Sequence, residues 1–283
     1  MIGAAYNPAV MKSAATPSPK DMLARHVAAI AGSAPETPAL RVHGGACWTY
    51  DRLAAEIDDH ARRIAACGLA AGSVLAQAAD ARDLLLGALA SPLAGHAFLP
   101  LDPDTAALRW PALQALGGRR LQRIDSLPEI QSVSRSHDHA PDSELALVIA
   151  TSGSEGSPKA VVHTHASLAA AARASAHMLP LAPGDVWLDC LPLFHIGGQA
   201  ILWRAFMAGA AVLLHEGFDA DAVWQSIRHD DVTHISLVPA MLARLLDRAD
   251  GPPPPQLRAV LIGGAALSRP LWQRAIDAGW PLF

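Results

Sequence analysis

LALVIATSGSEGSPKAVVHTH, residues 145–165, decides how this chain is read. Its first six residues, Leu145 to Ala150, form an uninterrupted apolar run of the length expected for a buried strand. The next nine, Thr151 to Lys159, gather hydroxyl residues, two glycines, a proline and a lysine. From Ala160 the chain turns β-like again, so the stretch predicts a strand, a polar loop and a second strand. Outward from it, helical and strand-like segments alternate in both directions. That alternation predicts an α/β fold of layered mixed sheets flanked by helices.

Towards the N-terminus, helices are expected over residues 22–32, 48–69, 81–95 and 105–116, with Thr49 as an N-cap and Gly68 as a C-terminal stop. Strands are expected at Pro38–Val42 and over residues 72–79 and 97–103. Residues 123–144 are polar and contain proline, which predicts a linker or long surface connection. Towards the C-terminus, Ser167 is a candidate cap for a helix over residues 167–179. Strands are expected over residues 186–191, 210–215, 233–239 and 257–264, with helices over 199–209, 219–230 and 240–250 between them. The reading divides the chain into a loose tail (1–20), a first α/β subdomain (21–140) and a second that carries the polar loop (141–283).

Composition excludes several classes. With 17% charged and 51% hydrophobic residues the chain is globular rather than disordered. A net charge of −4 and the lack of a basic block argue against a nucleic-acid partner. Every alanine-rich segment is interrupted by Arg, Asp, His or Pro before the ~20 apolar residues of a membrane span, and the N-terminus lacks signal-peptide character. A cytoplasmic protein is expected. Cys47, Cys67 and Cys190 are odd in number and far apart, which suggests buried free thiols rather than a disulfide framework.

A loop that wraps a polyphosphate needs inward-pointing N–H groups, small residues, hydroxyl donors and a mobile cation. Thr151, Ser152 and Ser154 supply hydroxyls, Gly153 and Gly156 permit close approach, and Lys159 supplies charge. A solvated turn has the same composition. The loop is not of the G-x-x-x-x-G-K-[ST] kind, because Pro158 precedes the lysine and a strand follows. Nor is it G-x-S-x-G, because Gly153 and Glu155 flank Ser154 directly.

TSGSEGSPKAVVHTH resembles the phosphate-binding signature of the adenylate-forming (AMP-binding) acyl-CoA synthetase superfamily. FLPLDP before it, then LPLFHIGGQAILWRAFMAGAAVLL (191–214), THISLVPAMLARLL and LRAVLIGGAAL agree in order. The later stretches look most like o-succinylbenzoate–CoA ligases of menaquinone biosynthesis. The resemblance implies that a carboxylate attacks the α-phosphate of ATP, with Mg2+, and that the thiol of coenzyme A then displaces AMP. It implies that Thr151, Ser152, Gly153, Ser154, Gly156 and Lys159 hold the β- and γ-phosphates, and that His195 orients the carboxylate. Gly197 and Gly198 would leave room for substrate, and Gly263, Gly264, Ala265 and Ala266 would lie against adenine. Glu155 stands where Thr is usual, and Ala160 where Gly is.

Without the resemblance, His195 reads as a core histidine and GGAAL as an ordinary strand-to-helix turn. His163 and His165 share a face of the proposed strand, which makes a metal pair conceivable, but no third ligand is evident, and no metal-ligating residue is assigned. The chain ends before the aromatic-Gly-x-Thr-Glu motif, the ribose-binding acid and the C-terminal lid domain of the family, so it is expected to be a truncated N-terminal part. Expected partners are a small-molecule carboxylate and either a complementary chain or a second copy. The alternative functions are a catalytically inactive nucleotide- or acyl-binding module, and activation of an aryl or medium-chain fatty acid instead.

Overall fold

The computed structural model describes residues 22–70, 72–117, 121–124, 126–128, 144–151 and 159–283. Its elements run α1 (Leu23–Ser33), β1 (Pro38–Val42), β2 (Cys47–Thr49), α2 (Tyr50–Ala66), β3 (Val74–Ala78), α3 (Ala81–Leu93), β4 (Ala97–Leu101) and α4 (Ala106–Gly117). There follow β5 (Leu121–Ile124), β6 (Leu145–Thr151), β7 (Lys159–Thr164), α5 (His165–Ala176), β8 (Val186–Asp189), α6 (Ile196–Ala208) and β9 (Ala211–Leu214). The order closes with α7 (Ala220–His229), β10 (His234–Leu237), α8 (Pro239–Arg248), β11 (Ala259–Ile262) and α9 (Arg269–Asp277). The expected tail, residues 1–20, and residues 129–143 of the expected linker lie outside the described residues.

Local chemistry explains the boundaries. Thr49 caps α2 by accepting a hydrogen bond from the Arg52 N–H, and Leu53, Ile57, His60 and Ile64 recur on its buried face. Gly68 takes φ +64° just past the helix, a left-handed conformation that favours glycine. Residues before Thr49 are not helical, however. Cys47 and Trp48 pair with β1 as the short strand β2, because the Gly44–Gly45 turn folds them back into a hairpin.

Two sheets organise the described residues. One has the order β11-β10-β8-β9-β1-β2 and the other β5-β3-β4-β6-β7. Pairing is parallel except in the hairpins β1–β2 and β6–β7. Each sheet draws strands from both sides of residue 140: β1 and β2 join the sheet of β8–β11, while β6 and β7 join that of β3–β5. A shared apolar core, including Leu40, Tyr50, Phe98, Leu147, Trp187 and Phe206, fills the space between the sheets around α1, α2, α3, α5 and α6. The first sheet buries its other face under α7 and α8, and the second buries its own near α4.

Several expectations change. β5 lies where the linker was expected to begin, and it pairs parallel with β3. Thr164, not Ser167, is the N-cap of α5: Thr164 Oγ1 accepts from the Ser167 N–H, and Ser167 Oγ accepts from the Thr164 N–H. This reciprocal capping box satisfies two otherwise orphaned donors and starts the helix at His165. The cysteines are all free, but only Cys190 is buried; Cys67 is half-buried and Cys47 exposed. No helix among the described residues is long and apolar enough to cross a membrane.

Candidate phosphate and carboxylate site

β6 is buried along most of its length, between β4 and the edge strand β7. It delivers Thr151 to a position opposite Lys159 in the antiparallel register. Both residues are exposed at the mouth of this hairpin, and the Thr151 hydroxyl donates to the Lys159 carbonyl at 3.3 Å. The hydroxyl thus closes the hairpin mouth, and a bound anion would compete with that carbonyl for it. Ala160, also exposed, faces Ala150. Ser152, Gly153, Ser154 and Gly156 lie outside the described residues.

The second part of the candidate site follows β8. After Asp189 the chain makes a tight turn through Cys190–Phe194, in which the His195 N–H donates to the Pro192 carbonyl at 3.0 Å. His195 has an extended backbone and is the N-cap of α6, with its imidazole exposed and packed edgewise on Phe194 at 4.8 Å. Buried Gln199 braces the turn: its Nε2 donates to the Leu193 carbonyl at 2.7 Å.

The glycines after His195 do not act alike. Gly197 and Gly198 lie in the first turn of α6, and a Cβ at Gly198 would stand 2.8 Å from the Pro192 carbonyl oxygen and 3.0 Å from that of Leu191. The space beside Gly198 is filled by the turn itself, which corrects the expectation that it is left for substrate. At Gly197 a Cβ would meet only Leu191 Cδ1, at 3.2 Å.

Beneath the turn sits a group that sequence reading did not single out. Asp189 is fully buried; its Oδ1 accepts from the Leu191 N–H at 3.0 Å, and its Oδ2 has no partner. Burial pushes this carboxyl well above the ordinary range, only partly offset by the Leu191 hydrogen bond. The neighbouring Cys190 thiol is likewise raised by burial and by Asp189. The signal was present in VWLDCL, as an acid inside an apolar strand run.

Gly263, Gly264, Ala265 and Ala266 form an exposed segment after β11. The Gly263 N–H donates to the Leu237 carbonyl at the end of β10. Gly264 has φ +77° with a would-be Cβ 3.1 Å from Val238, so a larger residue there is strained in backbone and crowded in space. Since β8, β10 and β11 are parallel, this segment and the His195 turn both emerge at the carboxyl edge of one sheet. Open parallel sheets bind ligands at that edge. α5, which follows β7, meets α6 towards the C-terminal ends of both helices: Arg204 of α6 donates to Ser175 of α5 at 3.1 Å and stacks over Trp187 of β8.

His163 and His165 do not share a strand face, because His163 is in β7 and His165 is the first residue of α5. Among the described residues no group of three His, Cys, Asp or Glu is placed to hold a metal ion. A cavity of about 360 Å³ opens between α1 and the C-terminal end of α6, lined by residues such as Ile30, Thr37, Pro183 and Met207. His195 begins that helix, roughly 18 Å away by helical rise, so the cavity is separate from the candidate site.

The AMP-binding enzyme family matches residues 111–281. A 2-succinylbenzoate–CoA ligase of Bacillus cereus (strain AH820) is 38% identical over 141 residues, covering 50% of this chain and 29% of that protein. The o-succinylbenzoate coenzyme A synthetase (MenE) of Bacillus subtilis, solved in complex with ATP and magnesium ion, superposes with a TM-score of 0.76 at 27% identity, over 91% of this chain and 58% of that one. The same enzyme with the acyl-adenylate intermediate OSB-AMP gives 0.78 at 27% identity, over 91% and 57%. The chain thus spans less than two thirds of the length of these relatives.

Proposed function

The chain belongs to the AMP-binding enzyme family, and from that membership we propose that it activates a carboxylic acid with ATP and passes the acyl group to coenzyme A. The substrate class is an aromatic acid of the 2-succinylbenzoate type, and the similarity to the ligases described above supports it. The observation that carries the reading is the emergence of the His195 turn and the Gly263–Ala266 segment at one carboxyl sheet edge.

In the first step a carboxylate oxygen bonds to the α-phosphorus while the bond to the bridging oxygen breaks and pyrophosphate leaves. Lys159, with Ser152, Gly153, Ser154 and Gly156, would bind the departing phosphates, and the Thr151 hydroxyl would turn from the Lys159 carbonyl to join them. Charge placed where pyrophosphate develops lowers the barrier electrostatically. His195, exposed at the start of α6, would orient the carboxylate through a ring nitrogen. Gly263, Gly264, Ala265 and Ala266 would offer a flat surface to adenine. In the second step the coenzyme A thiol attacks the acyl carbon, AMP leaves and the thiol proton is released. Magnesium, when bound with ATP, would offset the phosphate charge; no cluster of three His, Cys, Asp or Glu among the described residues is placed to hold it.

The test is pyrophosphate exchange into ATP by the purified chain with 2-succinylbenzoate, an aryl acid or a medium-chain fatty acid. Exchange that needs 2-succinylbenzoate and is lost in Lys159→Ala supports the reading; background exchange with all acids sinks it. A second reading is a nucleotide- or acyl-binding module, which would use the hydroxyl of Thr151 and the charge of Lys159 without the transfer step. Saturable ATP binding in equilibrium dialysis without exchange would select it.

A further inference from the structure

We propose that Asp189 is a positioning residue that fixes the Leu191–His195 turn and thereby the place of the His195 imidazole. The inference rests on the reading of His195 as the carboxylate-orienting group. Asp189 ends β8 and projects to the same side as Trp187, into the core between the sheets. Nothing in that core favours an acid. A buried carboxyl without a counter-charge costs several kcal/mol in its ionised form, so a site that merely packs would hold a Leu or Val. Among the described residues no cation is paired with it, and its one partner is the Leu191 N–H, two residues on.

That single bond falls where the chain leaves the sheet. The Leu191 N–H has turned out of the β8 ladder and would be a half-buried donor without a protein partner if Oδ1 were removed. Leu191 and Pro192 then present carbonyls to Gly198, and Pro192 also accepts from the His195 N–H. Asp189 therefore anchors one end of the turn and Gln199 its middle, and His195 is the residue they deliver. Protonated, the carboxyl keeps Oδ1 as acceptor without placing a charge in the core. Burial raises the carboxyl well above the ordinary range, which favours that form.

The experiment compares Asp189→Asn, which keeps an acceptor at Oδ1, with Asp189→Ala, which removes it. His195 ring signals are read by NMR in histidine-labelled protein, assigned with His195→Gln, and the Leu191 amide is read by hydrogen exchange. Expected are native His195 signals and a protected Leu191 amide in Asp189→Asn. In folded Asp189→Ala, displaced signals and a fast-exchanging amide are expected, with pyrophosphate exchange about tenfold below that of Asp189→Asn. Unmoved His195 signals in folded Asp189→Ala overturn the inference. If Asp189→Ala does not fold, the asparagine variant decides: an unprotected Leu191 amide or displaced His195 signals overturn it, and native values support it. The NMR arm needs no substrate. Absent exchange in every form, with the NMR results as expected, sinks the ligase reading and leaves the role of Asp189 in the turn standing.

Discussion

Alanine at Gly197 and at Gly198 should act in opposite directions, although the two positions adjoin in one helix. Neither glycine has a left-handed φ, so alanine accepts the backbone of both. Helix propensity alone favours the substitution by up to about 1 kcal/mol. At Gly197 the new methyl meets only the end of the Leu191 side chain, which can give way, so Gly197→Ala should be neutral or mildly stabilising. At Gly198 the methyl would lie 2.8 and 3.0 Å from two backbone carbonyl oxygens of the turn, which a rotamer change cannot relieve. Overpacking of this kind costs about 1–3 kcal/mol. Set against the full propensity gain, Gly198→Ala should lose up to about 2 kcal/mol. For a chain of this size that is a fall in Tm of up to roughly 8 °C. Thermal unfolding of both variants under one buffer is the assay. A Gly198→Ala midpoint at or above that of Gly197→Ala would refute the close approach of α6 to the Leu191–Pro192 turn.

Three further outcomes follow from named groups. Burial lowers His60 and His215 to about 4, so both stay neutral in the fold while the unfolded chain protonates them; stability should fall as pH drops from about 6.5 to 4, by about 3 kcal/mol for each. His60→Gln should flatten the urea-midpoint profile over that window, and a profile parallel to the parent protein would exclude its role. The Tyr50 hydroxyl donates to the Ala210 carbonyl at 2.9 Å within the core, and Tyr50→Phe, which orphans that acceptor, should cost about 1–2 kcal/mol in urea unfolding. Thr164→Ala removes the cap of α5 and should cost about 1 kcal/mol, while an unchanged midpoint would contradict the capping box.

The strands and helices were legible wherever one local rule dominated. Thr49, Gly68 and the apolar spacing of α2 all point to one helix, and the run Leu145–Ala150 could be little but a buried strand. Misreadings fall where a residue's state depends on a partner far away in sequence or on a competing local bond. Cys47 and Trp48 look like the approach to a helix, but pairing with β1 makes them strand. Arg123 and Ile124 look like the start of a linker until β3 supplies a ladder for Leu121–Ile124. His165 continues a strand-like pattern, yet the Thr164–Ser167 box ends the strand one residue earlier. Thr151 and Lys159 were proposed for the site from residue type, and the structure sets them opposite each other. Gly198 was assigned to substrate because sequence cannot show that two carbonyls already occupy its space. Asp189 was passed over because its neighbours outvoted it as a strand.

The exchange of strands between the sheets also sets a timetable. β1 takes its parallel partner from β9, pairing Leu40 with Val212. About 170 residues must therefore leave the ribosome before β1 can enter its sheet, which at roughly 5–20 residues per second is on the order of 10–30 s. During that interval Pro38–Val42 has only the short β2 to pair with, and its buried residues Ala39 and Leu40 have no sheet to cover them. Contacts of such long sequence separation slow folding. The hairpin made first thus waits for the middle of the larger sheet, and the opposite flank, β10 and β11, is made last of all.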